Sequence, residues 1–120
     1  MNTIEIKSLF DKWNSTLQTG TAKEVTNLYQ EDAILLPTIS SQTRRNHQEI
    51  EEYFIQFLAK KPKGEINQSN IRHLGKIAIN SGTYTFTFGD GSKIEARYTF
   101  VYQWNDEEWK IIEHHSSVMP

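Results

Sequence analysis

The sequence predicts an α+β fold in which three N-terminal helices pack in one strongly bent antiparallel sheet. Two observations support this prediction. Apart from one short strand, the apolar residues of the first half recur every three or four positions, which indicates helices. In the second half they recur at every second position, which indicates strands. Helices and strands that are segregated along the chain in this way are typical of the α+β class.

The first two predicted helices are adjacent in the sequence. The first has one apolar stripe, formed by Ile6, Leu9, Phe10, Trp13 and Leu17. Gly20 is placed to end it, and Thr21 begins the second helix with Glu24 in the position of a capping box. The second helix takes its apolar side from Ala22, Val25, Leu28 and Tyr29.

A short strand separates these helices from the third. The segment AILLPTIS, residues 33–40, reads as a strand, and Pro37 places it at an edge or a bend because proline donates no ladder hydrogen bond. Asn46, with Glu49 three residues later, is a second capping pair. The third helix has a dense apolar stripe, formed by Ile50, Tyr53, Phe54, Phe57 and Leu58.

The second half reads as an antiparallel meander. The Asp-Gly pair within Gly89–Ser92 predicts a hairpin turn, and a last strand starts near Trp109. The strand IEARYTFVYQW has two faces: Ala96, Tyr98, Phe100, Tyr102 and Trp104 form one, and Glu95, Arg97, Thr99, Val101 and Gln103 form the other. Val101, with Ile111 or Ile112, leaves the outer face partly apolar, so a second subunit is its simplest cover.

Composition excludes several classes of protein. A length of 120 residues fits one domain, residues 1–120. The net charge of −2 argues against partners such as nucleic acid or an anionic membrane surface. The absence of cysteine excludes disulfides, thiol catalysis and thiolate metal sites. The N-terminus MNTIEIKSLFDKW lacks the apolar core of a signal peptide, and no apolar run is long enough to span a membrane, so we expect a cytoplasmic protein.

An ordered set of motifs covers almost the whole chain. These are LLPT, YFIQFLAKKPKGEI, SGTYTF, ARYTFVYQW and the terminal pattern W-x-I-x-x-H-H-S-S-x-M-P. Together they resemble the small bacterial proteins similar to the association domain of calcium/calmodulin-dependent protein kinase II. Those proteins belong to the SnoaL-like branch of the nuclear transport factor 2-like superfamily.

The resemblance implies a cone-shaped, cystatin-like roll with a pocket between the helices and the concave face of the sheet. It also implies a homodimer that forms through the outer face, or a ring of such dimers. Relatives include non-catalytic association modules as well as isomerases, cyclases and dehydratases. We therefore expect a self-associating protein that binds a small molecule such as an organic acid. An enzyme of the isomerase, cyclase or dehydratase type and a purely structural module stay open as alternatives.

The sequence departs from these relatives at their polar pocket positions. Two arginines of the kinase pocket fall near Thr85 and Glu52 here. Arg97 is the strand arginine that could take their part, either as an anchor for an anionic ligand or in an internal salt bridge. The aspartate base of ketosteroid isomerases has no counterpart on a predicted strand, and Asp32 is the nearest candidate.

The C-terminal segment IEHHSSVMP contains the remaining polar candidates. Neighbouring residues of a strand point to opposite faces, so His114 and His115 cannot readily bind one metal ion together. The resemblance to the kinase domain makes His115 the better pocket candidate. Glu113, His115 and Ser117 share a face, but their spacing of roughly 6–7 Å is too long for a catalytic triad.

These observations give a set of candidate pocket residues: Arg97, His115, Ser117, Tyr98, Trp13, Tyr53 and Phe57. Tyr98 belongs to this set only if a bulge rotates its strand, and the helix aromatics are either core or cavity lining. Arg44 and Arg45 read as a solvated loop. No cofactor or metal site is expected.

Overall fold

The computed structural model describes residues 3–38 and 40–120 and contains the three predicted helices. Helix α1 spans Thr3–Thr19, α2 spans Ala22–Thr26 and α3 spans His47–Leu58. Both predicted caps form, because the backbone N–H of Glu24 donates to Thr21 Oγ1 (3.2 Å) and that of Glu49 donates to Asn46 Oδ1 (2.9 Å). Residue 39, which the predicted short strand included, lies outside the described residues.

Within the described residues, five strands form one curved sheet in the order β1-β5-β4-β3-β2. The strands span Tyr29–Leu36 (β1), Lys63–Leu74 (β2), Ile77–Thr87 (β3), Lys93–Trp104 (β4) and Trp109–Val118 (β5). The pairs β2–β3, β3–β4 and β4–β5 are antiparallel, as predicted. The edge strand β1 differs, because it runs parallel to β5.

Strand β1 starts earlier than the sequence predicts. Tyr29, which we expected on the second helix, is its first residue and pairs with Ile111 of β5. Helix α2 ends three residues earlier, at Thr26, whose hydroxyl donates to the Ala22 carbonyl (2.8 Å). The buried Tyr29 ring then enters the core from the sheet edge, because its backbone is held by β5.

A bulge interrupts β5. Val101 of β4 pairs with Glu113 and Tyr102 pairs with Ile111, so Ile112 has no partner on β4. One extra residue reverses the alternation of side chains on the strand that contains it. As a result Ile111 and His114, three positions apart, both point to the inner face.

The core fills the concave side of the sheet. The α1 stripe packs there, with the Phe10 ring 6.2 Å and the Trp13 ring 5.3 Å from the ring of Phe100 between centroids. The inner face of β4 is the predicted one: Ala96, Tyr98, Phe100 and Tyr102 are buried and Trp104 is half-buried. The α+β fold with helices packed in a bent sheet is therefore confirmed.

Candidate functional site

A cavity of about 210 Å³ remains between the helices and the inner face of the sheet. Its apolar wall includes Trp13, Tyr53, Phe54, Phe57, Phe86 and Phe88. Its polar wall includes Thr38, Arg44, Lys60, Tyr84, His114 and Ser116. The volume is below the range of roughly 300–1,000 Å³ for drug-sized ligands, so the cavity suits a smaller molecule.

Arg44 brings a buried positive charge to this cavity. The segment before α3 is joined to β1 by two backbone hydrogen bonds of 2.8 Å between Leu35 and Arg44, which turn the arginine inward. The residue is 8% exposed, and its guanidinium donates to the Glu49 carbonyl at 3.2 Å. The carboxylate of Glu52 approaches only to 3.9 Å and is itself largely exposed. The buried Nε–H has no acceptor among the described residues.

A chain of hydrogen bonds forms the deep polar wall. Trp13 Nε1 donates to Tyr29 Oη at 3.1 Å, and Tyr29 Oη contacts His114 Nδ1 at 2.8 Å. His114 Nε2 lies 3.3 Å from Tyr84 Oη, which donates to Ser116 Oγ at 2.6 Å. The hydroxyl of Ser116 is hydrogen-bonded to that of Thr38. All members of this chain except Tyr29 line the cavity, so the chain runs along its polar wall.

His114 is a neutral member of this chain. It is 3% exposed, and its ring stacks on Phe100 with 3.9 Å between centroids. Burial, followed by the charge of His115, lowers its pKa from 6.5 to about 3. The imidazole therefore carries no charge near neutral pH and acts as a hydrogen-bonding group of the wall.

The tyrosines of the site are also kept neutral. Burial raises the pKa of Tyr53 to about 12, although the nearby Arg44 opposes the shift. Burial also raises the pKa of Tyr84, against the hydrogen bond with Ser116. The described cavity wall contains no aspartate or glutamate. The site therefore offers hydroxyl groups and cations, without a carboxylate base.

Four of the seven predicted pocket residues lie on the inner side of the sheet. Trp13, Tyr53 and Phe57 line the cavity, two of them from α3. Tyr98 is buried without the rotation that we expected it to need, because its whole face of β4 points inward. Its hydroxyl donates to Asn80 Oδ1 at 2.8 Å, outside the cavity wall.

The other three lie on the opposite side. Arg97 is exposed on the outer face of β4, where it pairs through the backbone with Thr83 and Ser117. His115 is exposed, and with Ser117 it lines a shallow groove on the outside. The expectation that His115 faces the pocket is therefore corrected. Because of the bulge at Ile112, His114 and Ser116 point inward, and His115 and Ser117 point outward.

Several residues of the site were missed from the sequence. Thr38, Tyr84, His114 and Ser116 were not among the candidates, and Arg44 was assigned to a solvated loop. That assignment is wrong for Arg44, which is buried, and holds for Arg45, which is exposed. Asp32 lies on β1 and is exposed, away from the cavity wall.

The described part of the chain contains neither a candidate metal cluster nor a candidate membrane-spanning helix. No group of three histidine, aspartate or glutamate residues there could hold a metal ion. None of the helices described is both long and apolar enough to cross a membrane.

Comparisons with known proteins agree with this architecture. A solved structure of a candidate calcium/calmodulin-dependent protein kinase II association domain from Xanthomonas campestris is 47% identical, with a TM-score of 0.96; the match covers 100% of this chain and 89% of that one. A nuclear transport factor 2-like protein from Novosphingobium aromaticivorans with a cystatin-like fold is 12% identical over 96% of this chain and 80% of its own, with a TM-score of 0.79.

A candidate ketosteroid isomerase from Parabacteroides distasonis is 18% identical over 95% of this chain and 85% of its own, with a TM-score of 0.77. At these low identities the last two matches show the fold alone. The comparison with curated proteins gave no match. The family model of the calcium/calmodulin-dependent protein kinase II association domain matches residues 2–120. The chain therefore belongs to the family of this association domain.

Proposed function

We propose that the protein binds a small organic anion, such as an aromatic monocarboxylate, in the cavity of its concave face. The observation that carries this proposal is Arg44, a buried cation on the cavity wall whose Nε–H has no acceptor in the described chain. A guanidinium group suits a carboxylate, since two of its N–H groups can donate in parallel. The aromatic lining suits the apolar part of such a ligand.

The charges around the cavity favour an anion. Arg44 and Lys60 lie on its wall, and no carboxylate among the described lining residues opposes them. Burial strengthens the attraction, because the interaction of a cation with an anion increases as the effective dielectric constant falls. Because the Glu52 carboxylate approaches only to 3.9 Å, the guanidinium can still donate hydrogen bonds to a ligand carboxylate.

Titration with benzoate tests the proposal. We expect saturable binding that Arg44→Gln weakens about 10- to 150-fold, since a hydrogen bond to a charged group contributes roughly 1.5–3 kcal/mol. Arg45→Gln is the matched control, because it removes the same charge from the exposed neighbour. Calorimetry measures both affinities. Equal affinities of the two variants, or no binding of benzoate, would contradict the proposal.

The site supports binding better than acid–base catalysis. The isomerase, cyclase or dehydratase alternative requires a group that exchanges a proton near neutral pH. The pKa of His114 lies far below that range, and those of Tyr53 and Tyr84 lie above it. We therefore prefer a binding protein to an enzyme.

Self-association through the outer face of the sheet is a second part of the proposal. The name of the family, an association domain, supports it. So does the outer face itself, where Ile79 pairs with Val101 next to a half-buried Ile112. Light scattering on the wild type, on Val101→Lys and on the control Gln18→Lys, which changes an exposed residue of α1, tests this. We expect only the first variant to lower the mass, and an unchanged mass would refute the interface.

A further inference from the structure

A second cation, Lys60, lies on the cavity wall beyond the other end of α3. Arg44 precedes this helix, and Lys60 follows its last residue, Leu58, by two positions. The Lys60 side chain is exposed, and the ion pairs of the described residues leave it without a carboxylate partner. The proposed anion site accounts for Arg44 and leaves Lys60 for a second negative group.

Two stacked aromatic rings lie between the cations along α3. The guanidinium carbon of Arg44 is 6.0 Å from the centroid of the Tyr53 ring, and that ring stacks on Phe57 with 5.5 Å between centroids. The N–H of Lys60 donates to the Phe57 carbonyl at 3.1 Å, so the chain continues to turn past the end of α3. Tyr53, Phe57 and Lys60, at steps of four and three residues, therefore follow one face of the helix, which lines the cavity.

The spacing of the two cations follows from this helix. Lys60 is seven residues past Tyr53, the ring next to the Arg44 guanidinium, which corresponds to about 10 Å along the axis. A benzene ring with carboxylates in para positions spans roughly 7 Å between its outer oxygens, and a hydrogen bond of about 3 Å at each end extends its reach to about 13 Å. The flexible stem of the lysine absorbs the difference. Carboxylates on adjacent ring carbons are too close together to reach both cations.

The rim of the cavity around Lys60 also favours a negative group. Next to Lys60, this rim contains Lys61 and Lys93 and one carboxylate, that of Asp90. The Asp90 carboxylate already accepts hydrogen bonds from the backbone N–H (2.9 Å) and the hydroxyl (2.6 Å) of Ser92. An anion at this rim therefore meets an excess of positive charge, which attracts it.

From these observations we infer that the ligand is a rod-shaped aromatic dicarboxylate, with one carboxylate at Arg44 and the other at Lys60. This inference rests on the proposed function, because it takes the first carboxylate to be bound at Arg44. The ring of the ligand lies along Tyr53 and Phe57, and the second carboxylate lies at the rim, where water reaches it. The cavity of about 210 Å³ then has to hold only the ring and the first carboxylate.

Terephthalate and its monomethyl ester test the inference. Both compounds have the same ring and the same first carboxylate, and only terephthalate has the second charge. We expect terephthalate to bind about three- to fivefold tighter than the ester in calorimetry at low salt, since an exposed ion pair contributes modestly. Phthalate, with its two carboxylates on adjacent carbons, should bind no tighter than benzoate.

Variants locate the second carboxylate. Lys60→Gln should reduce the preference for terephthalate over the ester to about 1 or below, while benzoate affinity stays within about twofold, because only the second charge is lost. Lys60→Arg keeps the charge and should keep the preference. Lys61→Gln is the matched control, because it removes the same charge from an exposed neighbour outside the cavity wall, and it should leave the preference unchanged. Added salt should reduce the preference of the wild type.

The outcomes separate the two proposals. If benzoate binds but terephthalate is not preferred to its ester, or if phthalate gains as much over benzoate as terephthalate does, the inference fails and the anion site stands. If the preference survives in Lys60→Gln, or Lys61→Gln reduces it equally, the second carboxylate is not held by Lys60 and the inference also fails. If the wild-type protein binds neither benzoate nor terephthalate, both proposals fall.

Discussion

Acidification should destabilise the protein through the buried His114. The buried imidazole has a pKa lowered from 6.5 to about 3, mainly by desolvation. Between these values the unfolded chain binds a proton that the folded chain does not. The free energy of unfolding therefore falls as the pH decreases below about 6.5, and the loss continues until the pH reaches the folded pKa.

The magnitude follows from the distance between the working pH and the unfolded pKa. Each pH unit below 6.5 costs about 1.4 kcal/mol, so at pH 5.0 the contribution of His114 is about 2 kcal/mol. At pH 7.5 it is close to zero. The neighbouring hydroxyl groups add nothing in this window, because burial raises the pKa of both Tyr29 and Tyr84.

Urea denaturation at pH 7.5 and 5.0 measures this contribution. The wild type should lose about 2 kcal/mol more than His114→Gln between the two pH values, since only the wild type carries the buried titratable ring. His115→Gln is the matched control, because it removes an exposed histidine next to the buried one, and it should behave like the wild type. Identical pH dependence of wild type and His114→Gln would refute the assignment of a buried, neutral imidazole.

Two further predictions concern the framework of the site. Gly82→Ala should lower the free energy of unfolding by about 3 kcal/mol or more, because a Cβ there would lie 1.9 Å from the Gln68 carbonyl oxygen. Gly89→Ala is the control, because its Cβ would meet the flexible side chain of Lys61. Equal chemical denaturation midpoints of the two variants would contradict the reasoning. Asn14→Ala should cost about 1–3 kcal/mol by thermal or urea unfolding, because its amide donates to and accepts from the Gly64 backbone at 2.8 Å each; an unchanged midpoint would show that water replaces both bonds.

The parts of the fold that the sequence predicts well are those determined by local chemistry. Thr21 and Asn46 cap their helices because a side-chain oxygen three residues before a free N–H is in reach whatever the rest of the chain does. Strand β4 alternates without interruption over Lys93–Trp104, so the predicted inner face is the observed one. Tyr29 was misplaced because its pairing with Ile111 is distant in sequence and overrides a helical pattern.

The identity of the pocket histidine depends on one extra residue that no local pattern marks. Strict alternation from Ile111 would point His115 inward. Because of the bulge at Ile112, His114 points inward instead. A bulge is determined by how β5 meets both neighbouring strands, because Ile112 is skipped in the register with β4 and the pairing with β1 is also irregular there. The sequence contains both histidines, and the register of β5 determines which of them points into the pocket.

Burial of Arg44 has the same kind of origin, because it depends on pairing with β1. The backbone bridge between Leu35 and Arg44 closes the segment that contains Thr38, so the cation and the hydroxyl of Thr38 both line the cavity. The neighbouring Arg45 lies one residue beyond this bridge and is exposed. Burial lowers the pKa of His114, and burial also strengthens the interaction of the Arg44 charge with an anion in the cavity. A site with these two properties suits an anion with which it exchanges no proton, and for this reason we propose binding rather than turnover as its function.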